Sequence, residues 1–159
     1  MKVIMSDQRL LELFLNDIDT AQQLLAVLEQ EFSALSAREL TQLQELLTHK
    51  QPLLRMLESH ATERSKLLLQ SHFSADSKGL QQLAATSNLG AELLSSSSQL
   101  SELLEQCQDA NLRNGRLIRS NQTSVSSMLN IIRGNDAPKL YDKTGSASNS
   151  NKQRPFSQA

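Results

Sequence analysis

Residues 6–40 read SDQRLLELFLNDIDTAQQLLAVLEQEFSALSAREL. Within them Leu10, Phe14, Ile18, Ala21, Leu25, Leu28, Phe32 and Leu35 recur mostly at alternating steps of four and three. Such spacing holds one face of a helix against a neighbour. Ser6 and Asp7 stand where an N-cap and a first-turn acid belong, so the helix is expected to start there. The stretch ends on Ser36-Ala37-Arg38-Glu39, which has the form of a capping box, with Leu35 and Leu40 placed as a hydrophobic staple. One helix then gives way to the next with almost no loop, which favours antiparallel neighbours.

The pattern continues outward. A second helix is expected along Leu40, Leu43, Leu47, Leu54, Leu57, Ala61 and Leu68. Lys50 and Arg64 fall on the same line, so their heads must reach water or meet carboxylates. Pro52 removes one helical donor and predicts a kink at 49–52 without a change of direction. Residues 71–79 form a looser connection and a short helix follows over 77–87; at 88–90 the chain either turns or runs on as one helix, and the turn is the reading favoured. The last helix runs from about residue 89 to residue 133, about 65 Å at 1.5 Å per residue. Gly134, Asn135 and Pro138 supply its stop. The run after Gly145 is low in complexity and has too little apolar surface to offset its ordering entropy. The organisation expected is a helical bundle domain over 1–133 and a mobile polar tail over 134–159.

Composition agrees with helices. The chain has 159 residues, with 38% hydrophobic and only 3% aromatic content, and 5 Gly and 3 Pro leave few turns. A thick sheet core would want more Val, Ile and aromatics. The fold class expected is all-α: an elongated antiparallel up-and-down helical bundle, four helices with coiled-coil-like packing, and a flexible C-terminal tail. No repeat of 20–50 residues suggests a solenoid. Residues 133–159 carry five basic side chains against Asp136 and Asp142, a net +3, within a chain of net charge −1. An acidic body with a weakly basic tail is no nucleic-acid footprint. There is no signal-peptide core and no run long enough to span a bilayer, and a lone Cys107 suits a reducing compartment. The cytoplasm is the expected location, without membrane insertion.

Residue types that could carry chemistry do not assemble. Di-iron bundles need a carboxylate and a histidine three apart on each of two helices. Here Glu45 and His49 are four apart, and His60 and Glu63 stand in reversed order on the same helix. Cys107 lies on an apolar line without a neighbouring base. Ser95–Ser98 lacks any nucleophile pattern, and Asn114-Gly115 is no phosphate loop. No catalytic residue, metal ligand or cofactor is assigned, and an enzyme is not expected.

The last helix is more informative. Along Leu93, Ser97, Leu100, Leu104, Cys107, Asn111, Asn114, Ile118, Asn121, Val125, Met128 and Ile132 a good seam turns polar and then apolar again. A buried Asn can set register, as in coiled coils. Three within eleven residues is costly for that purpose, because each needs buried partners. The reading favoured is that the bundle thins here and that the end of this helix is a recognition surface. Gly115 adds local weakness of about 1 kcal/mol relative to Ala.

At this point the residues resemble a known family. Asn111-Leu-Arg-Asn114-Gly115-Arg-Leu117-Ile118, a helix with Leu129, and Tyr141-Asp142-Lys-Thr-Gly145 resemble the FlgN family of flagellar export chaperones. The Lys50-Gln-Pro-Leu-Leu stretch followed by Arg64 agrees in style. The resemblance implies a small cytosolic all-α protein that binds the C-terminal segments of hook-associated (hook–filament junction) proteins. It would prevent their premature assembly and deliver them to the flagellar type III export gate. Carried onto this sequence, cargo contact falls on Asn111, Asn114, Leu117, Ile118, Val125, Met128, Leu129 and Ile132. The gate-contacting tyrosine motif falls on Tyr141, Asp142 and Gly145. The protein alone would be a monomer or weak dimer. The rival reading is a coiled-coil adaptor or self-assembling structural protein without chaperone activity.

Overall fold

The computed structural model describes residues 2–133, with side chains over residues 6–120. The described residues form four helices and no strand: α1 (Lys2–Ala37), α2 (Leu40–Gln70), α3 (Ser77–Thr86) and α4 (Gly90–Arg133). The expected all-α bundle is therefore what the chain builds. Two compact units divide it, one of residues 1–27 with 44–107 and one of residues 28–43 with 108–159.

The first unit has its core on all four helices. Leu10, Phe14, Ile18 and Ala21 of α1 meet Leu68 of α2, Leu80 and Leu83 of α3, and Leu93 and Leu100 of α4. Each leucine sealed in this way contributes about 1.5–3 kcal/mol from lost apolar surface. A second stripe on α1, Leu13, Asp17, Thr20 and Leu24, is buried as well. One helix with two buried stripes is a helix with neighbours on two sides. On one side α2 runs antiparallel: Arg9 bonds Glu63, Asp17 meets His60, and Thr20 Oγ1 lies 3.6 Å from Met56 Sδ. On the other side α4 runs parallel to α1, with Cys107 Sγ donating to the Ala21 carbonyl at 3.5 Å. Burial raises the Cys107 thiol above its ordinary pKa, the opposite of what an activated thiolate needs.

The seam of α2 keeps Leu43, Leu57, Arg64 and Leu68 of the expected line, leaves Leu40 exposed, and shifts by one residue at the positions between. Leu46 and Leu68 are buried, and Leu53, Leu57, His60, Arg64 and Leu67 are half-buried. Leu47 and Leu54 are left 49% and 40% exposed, and Ala61 is also exposed. The pairs Leu46-Leu47 and Leu53-Leu54 make both phases possible by spacing alone. A buried acid decides between them. Asp17 is 0% exposed and paired with the Arg64 guanidinium, which lies on both lines, but only the inner line adds His60, whose Nδ1 lies 2.6 Å away. The same guanidinium sits over the Phe14 ring, 4.9 Å from its centroid. Arg64 thus meets a carboxylate, as its place among leucines requires.

The helix ends rest on local chemistry. α1 begins at Lys2, ahead of the expected Ser6 cap, because residues 2–5 hold no Gly or Pro to stop it. Asp7 is consequently inside the helix, buried, with one carboxylate oxygen unpaired. α2 passes through Pro52 without interruption. It ends in a Schellman motif: His72 takes φ 68°, its N–H donates to Leu69 O at 3.0 Å, and Phe73 N–H donates to Leu68 O at 2.9 Å. Phe73 packs onto the core that holds Leu68, the apolar contact this motif favours. Asp76 caps α3, accepting from Gly79 N at 2.9 Å and from Ser74 Oγ at 2.7 Å. The Ser74 bond, followed by the Gly79 bond, holds its carboxyl below the ordinary range. A Cβ on Gly79 would lie 1.7 Å from the Ser74 carbonyl oxygen, so no side chain fits there. The expected turn before α4 is present, with Ser87 Oγ accepting from Leu89 N at 3.0 Å.

In the second unit the α1–α2 junction is another Schellman motif. Arg38 has φ 58°, donates from its N–H to Leu35 O at 3.2 Å, and Glu39 N–H donates to Ala34 O at 2.9 Å. Ser36 is therefore still inside α1, and the capping box does not form. The short junction that the box implied is nevertheless there.

Candidate functional site

α4 is chemically two helices in one. From Gly90 to Asp109 it carries Glu92, Glu102, Glu105 and Asp109 and no basic residue. From Ala110 to Arg133 it carries Arg113, Arg116, Arg119 and Arg133 and no acid. The change falls where its seam turns polar, and the second half lies in the second unit.

There, α1 and α4 are locked by a filled hydrogen-bond set around Asn114, which is 1% exposed. Its amide nitrogen donates to Leu28 O and to Glu31 Oε1, both at 2.8 Å. Its amide oxygen accepts from Arg113 Nε and Nη2, both at 3.2 Å. Two donors and two acceptor sites are the whole capacity of the group. Arg113 also stacks 3.9 Å from the Phe32 ring centroid and pairs with Glu29 at 3.2 Å. Ala110 and Leu28 are buried beside this set.

These contacts fix how far each helix reaches. Asn114 pairs across 86 residues with Leu28 and across 83 with Glu31. Carried along two parallel helices, that register sets Ala37, the last residue of α1, level with residues 120–123 of α4. The α4 backbone continues to Arg133. Residues 124–133 therefore run about 15 Å past the end of α1 at 1.5 Å per residue.

The expected cargo positions separate accordingly. Asn114 is buried, with its full bonding capacity used within the chain. Asn111, Leu117 and Ile118 are half-buried, and Asn111 has a partner within the chain. Val125, Met128, Leu129 and Ile132 lie on the stretch of α4 beyond α1, and their side chains are outside the described residues, as are Tyr141, Asp142 and Gly145 altogether. Arg113, Glu29, Glu31 and Phe32 were not anticipated. The signal for them was the acid-free run after Asp109 facing a stretch of α1 that holds no basic residue between Arg9 and Arg38. Of the tested metal candidates, His60 is engaged by Asp17 and Glu63 by Arg9. Among the described residues no group of His, Cys, Asp and Glu is arranged to hold a metal ion, and no helix is long and apolar enough to cross a membrane.

The described residues thus define an all-helical bundle whose last helix outruns α1. Comparison with known proteins makes this specific. The family description "FlgN protein" matches residues 1–149. A crystal structure from Pseudomonas aeruginosa, assigned as a flagella synthesis protein FlgN, is 49% identical with a TM-score of 0.66. The match covers 77% of this chain and 94% of that one. No curated protein matches. The chain belongs to the FlgN family, and with that membership comes a role in flagellar assembly.

Proposed function

We propose that this protein is a cytosolic export chaperone for hook-associated proteins. The observation that carries the reading is the length of α4 past the end of α1, in a stretch whose sequence is apolar again at Val125, Met128, Leu129 and Ile132. A helix ending in an apolar stripe with no α1 beside it offers a groove-like seat to an amphipathic helix. The C-terminal segment of a hook-associated protein takes that seat, completes the seam begun by Leu117 and Ile118, and is kept from assembling early. Ordering the segment consumes part of the binding free energy, which keeps affinity moderate and permits release. Tyr141, Asp142 and Gly145 then make the contact with the export gate, so the tail of residues 134–159 acts separately from the bundle.

The reading is tested by Met128→Ala and Ile132→Ala. Each removes an apolar residue of the stretch of α4 that runs past the end of α1. Each is expected to weaken cargo binding about tenfold or more, measured by titration calorimetry, with the thermal midpoint unchanged. Loss of folding in both variants would mean that this stripe is core and not a seat. The self-assembling alternative draws support from the exposed Leu47 and Leu54 on α2. It requires a stable oligomer at micromolar concentration in sedimentation, where the chaperone is a monomer or weak dimer.

A further inference from the structure

Among the described residues, one side of the first unit is left uncovered between α1 and α4. Leu11 and Leu15 of α1 and Ala91, Ser95 and Gln99 of α4 line an open groove of about 400 Å³. Leu15 is 53% exposed, so the apolar wall has no covering neighbour. The α4 wall carries small side chains, which let a helix laid there come close. Ser96, also at the groove, spends its hydroxyl on the Glu92 carbonyl at 2.7 Å and asks for no further partner.

The charges around this groove are of one sign. Glu92 lines it, and Glu102 stands seven residues beyond Ser95, on the same face of α4. On α1, Glu12 follows Leu11 by one residue and Asp19 follows Leu15 by four. All four acids are exposed. Glu92 is explained by the helix dipole at the start of α4, but the other three are not. Asp19 accepts only from the neutral Gln23 amide, at 2.9 Å. Glu12 has Arg9 at 3.4 Å, yet that guanidinium is committed to Glu63 at 2.7 and 3.0 Å. No basic residue stands on α1 between Arg9 and Arg38, or on α4 before Arg113. One turn before Leu11, Asp7 is buried with a carboxylate oxygen that has no partner among the described residues.

We propose that this groove docks a basic amphipathic helix of a partner protein. Its apolar stripe lies against Leu11 and Leu15, and its flanking Lys or Arg side chains meet Glu12 and Asp19 on one side and Glu92 and Glu102 on the other. Charge complementarity selects this occupant: any leucine stripe fits the apolar wall, but only a basic one meets carboxylates that the chain leaves without a base. The surface uses none of the residues assigned to cargo, so it gives the protein a second partner beside the one proposed above. Flank charges of this kind act on selection and association rate more than on total affinity. Their contribution is screened by salt over a Debye length of about 8 Å at physiological ionic strength.

The probes are three synthetic three-heptad peptides with one shared leucine seam and Lys, Gln or Glu at the flanking positions, titrated into the full chain by fluorescence anisotropy. The Lys peptide is expected to bind about tenfold more tightly than the Gln peptide, and the Glu peptide most weakly, with the differences shrinking at high salt. Glu12→Gln with Glu102→Gln takes one carboxylate from each wall and should remove most of the preference. Glu45→Gln with Glu58→Gln makes the same change in net charge at exposed positions of α2 and should leave it in place. Leu15→Ser should weaken all three peptides alike. Equal binding of the three peptides, or equal effects of the two double variants, would overturn the proposal. Loss of the Lys peptide with Ile132→Ala but not with Leu15→Ser would move the peptides to the cargo seat, which overturns the groove and spares the chaperone reading. Tenfold tighter binding of the Lys peptide once Lys139, Lys143, Lys152 and Arg154 are all changed to Gln would make the chain's own tail the occupant. A dimer in sedimentation that Leu15→Ser disperses would make it a second copy, and either result overturns the proposal.

Discussion

At the scale of single residues, two buried polar groups decide how the helices meet. Asp17 is a carboxylate taken out of water, and it is tolerable only because His60 and Arg64 reach it from α2. Removing one partner of such a set strands the others, so Asp17→Ala is expected to cost about 3–5 kcal/mol in urea unfolding. A cost below about 1 kcal/mol would show that Arg64 finds water without effort. Asn114 plays the same part between α1 and α4 as a neutral group, bonded to the Leu28 carbonyl, the Glu31 carboxylate and the Arg113 guanidinium. Its position on the seam was legible in the sequence, but its burial was not. Whether an Asn faces a partner or the interior depends on what stands opposite, and Glu31 and the Leu28 carbonyl lie more than eighty residues away. Strain is stored at two further residues. Arg38 and His72 both adopt left-handed backbone at helix ends, which costs a side chain about 1–2 kcal/mol. Arg38→Gly and His72→Gly relieve it while loosening the unfolded chain. Each should raise stability by about 0.5–1 kcal/mol in the same assay.

Among the elements, the sequence specified helix number and extent well, because Gly and Pro are few and the apolar spacing is regular. α3 and the turn before α4 fall almost where the apolar spacing and the Asn88–Gly90 stretch put them, and the structure adds the caps Asp76 and Ser87. Phase was harder. On α2 adjacent leucines satisfy a three-four spacing in either of two registers, and only the long-range pairing of Asp17 chooses one. The junction after Ala37 was misread for a related reason: Ser and Glu three apart can cap the free N–H groups at a helix start, but here a left-handed Arg38 instead closes the free carbonyls at the end of α1, which keeps Ser36 inside it. On α4, Gly115 is a weakness without a steric excuse, since a Cβ there would meet only Arg119 Nη1, at 3.7 Å. Gly115→Ala should stabilise the helix by about 1 kcal/mol, seen as a higher thermal midpoint. A lower midpoint would mean that the backbone at this position must bend.

For the whole molecule, the two units divide the work by chemistry. The first gathers the large apolar core and the buried ion cluster, and its half of α4 is purely acidic. The second holds the basic half of α4, the single Asn114 lock and the stretch that outruns α1. In the proposed function the end of that helix is the place where cargo is held. The resemblance to FlgN proteins was legible from the Asn111–Ile118 motif, whereas the reach of α4 past α1 follows only from the register that folding sets. The most direct measurement is size-exclusion chromatography with light scattering of the full chain mixed with the C-terminal segment of a hook-associated protein, beside a variant truncated after Thr123. The account predicts a discrete complex for the full chain and none for the truncated one, which keeps its helical content because every described lock lies before the cut. Undiminished binding by the truncated chain, or a full chain that runs as a tight oligomer and ignores the segment, would contradict it.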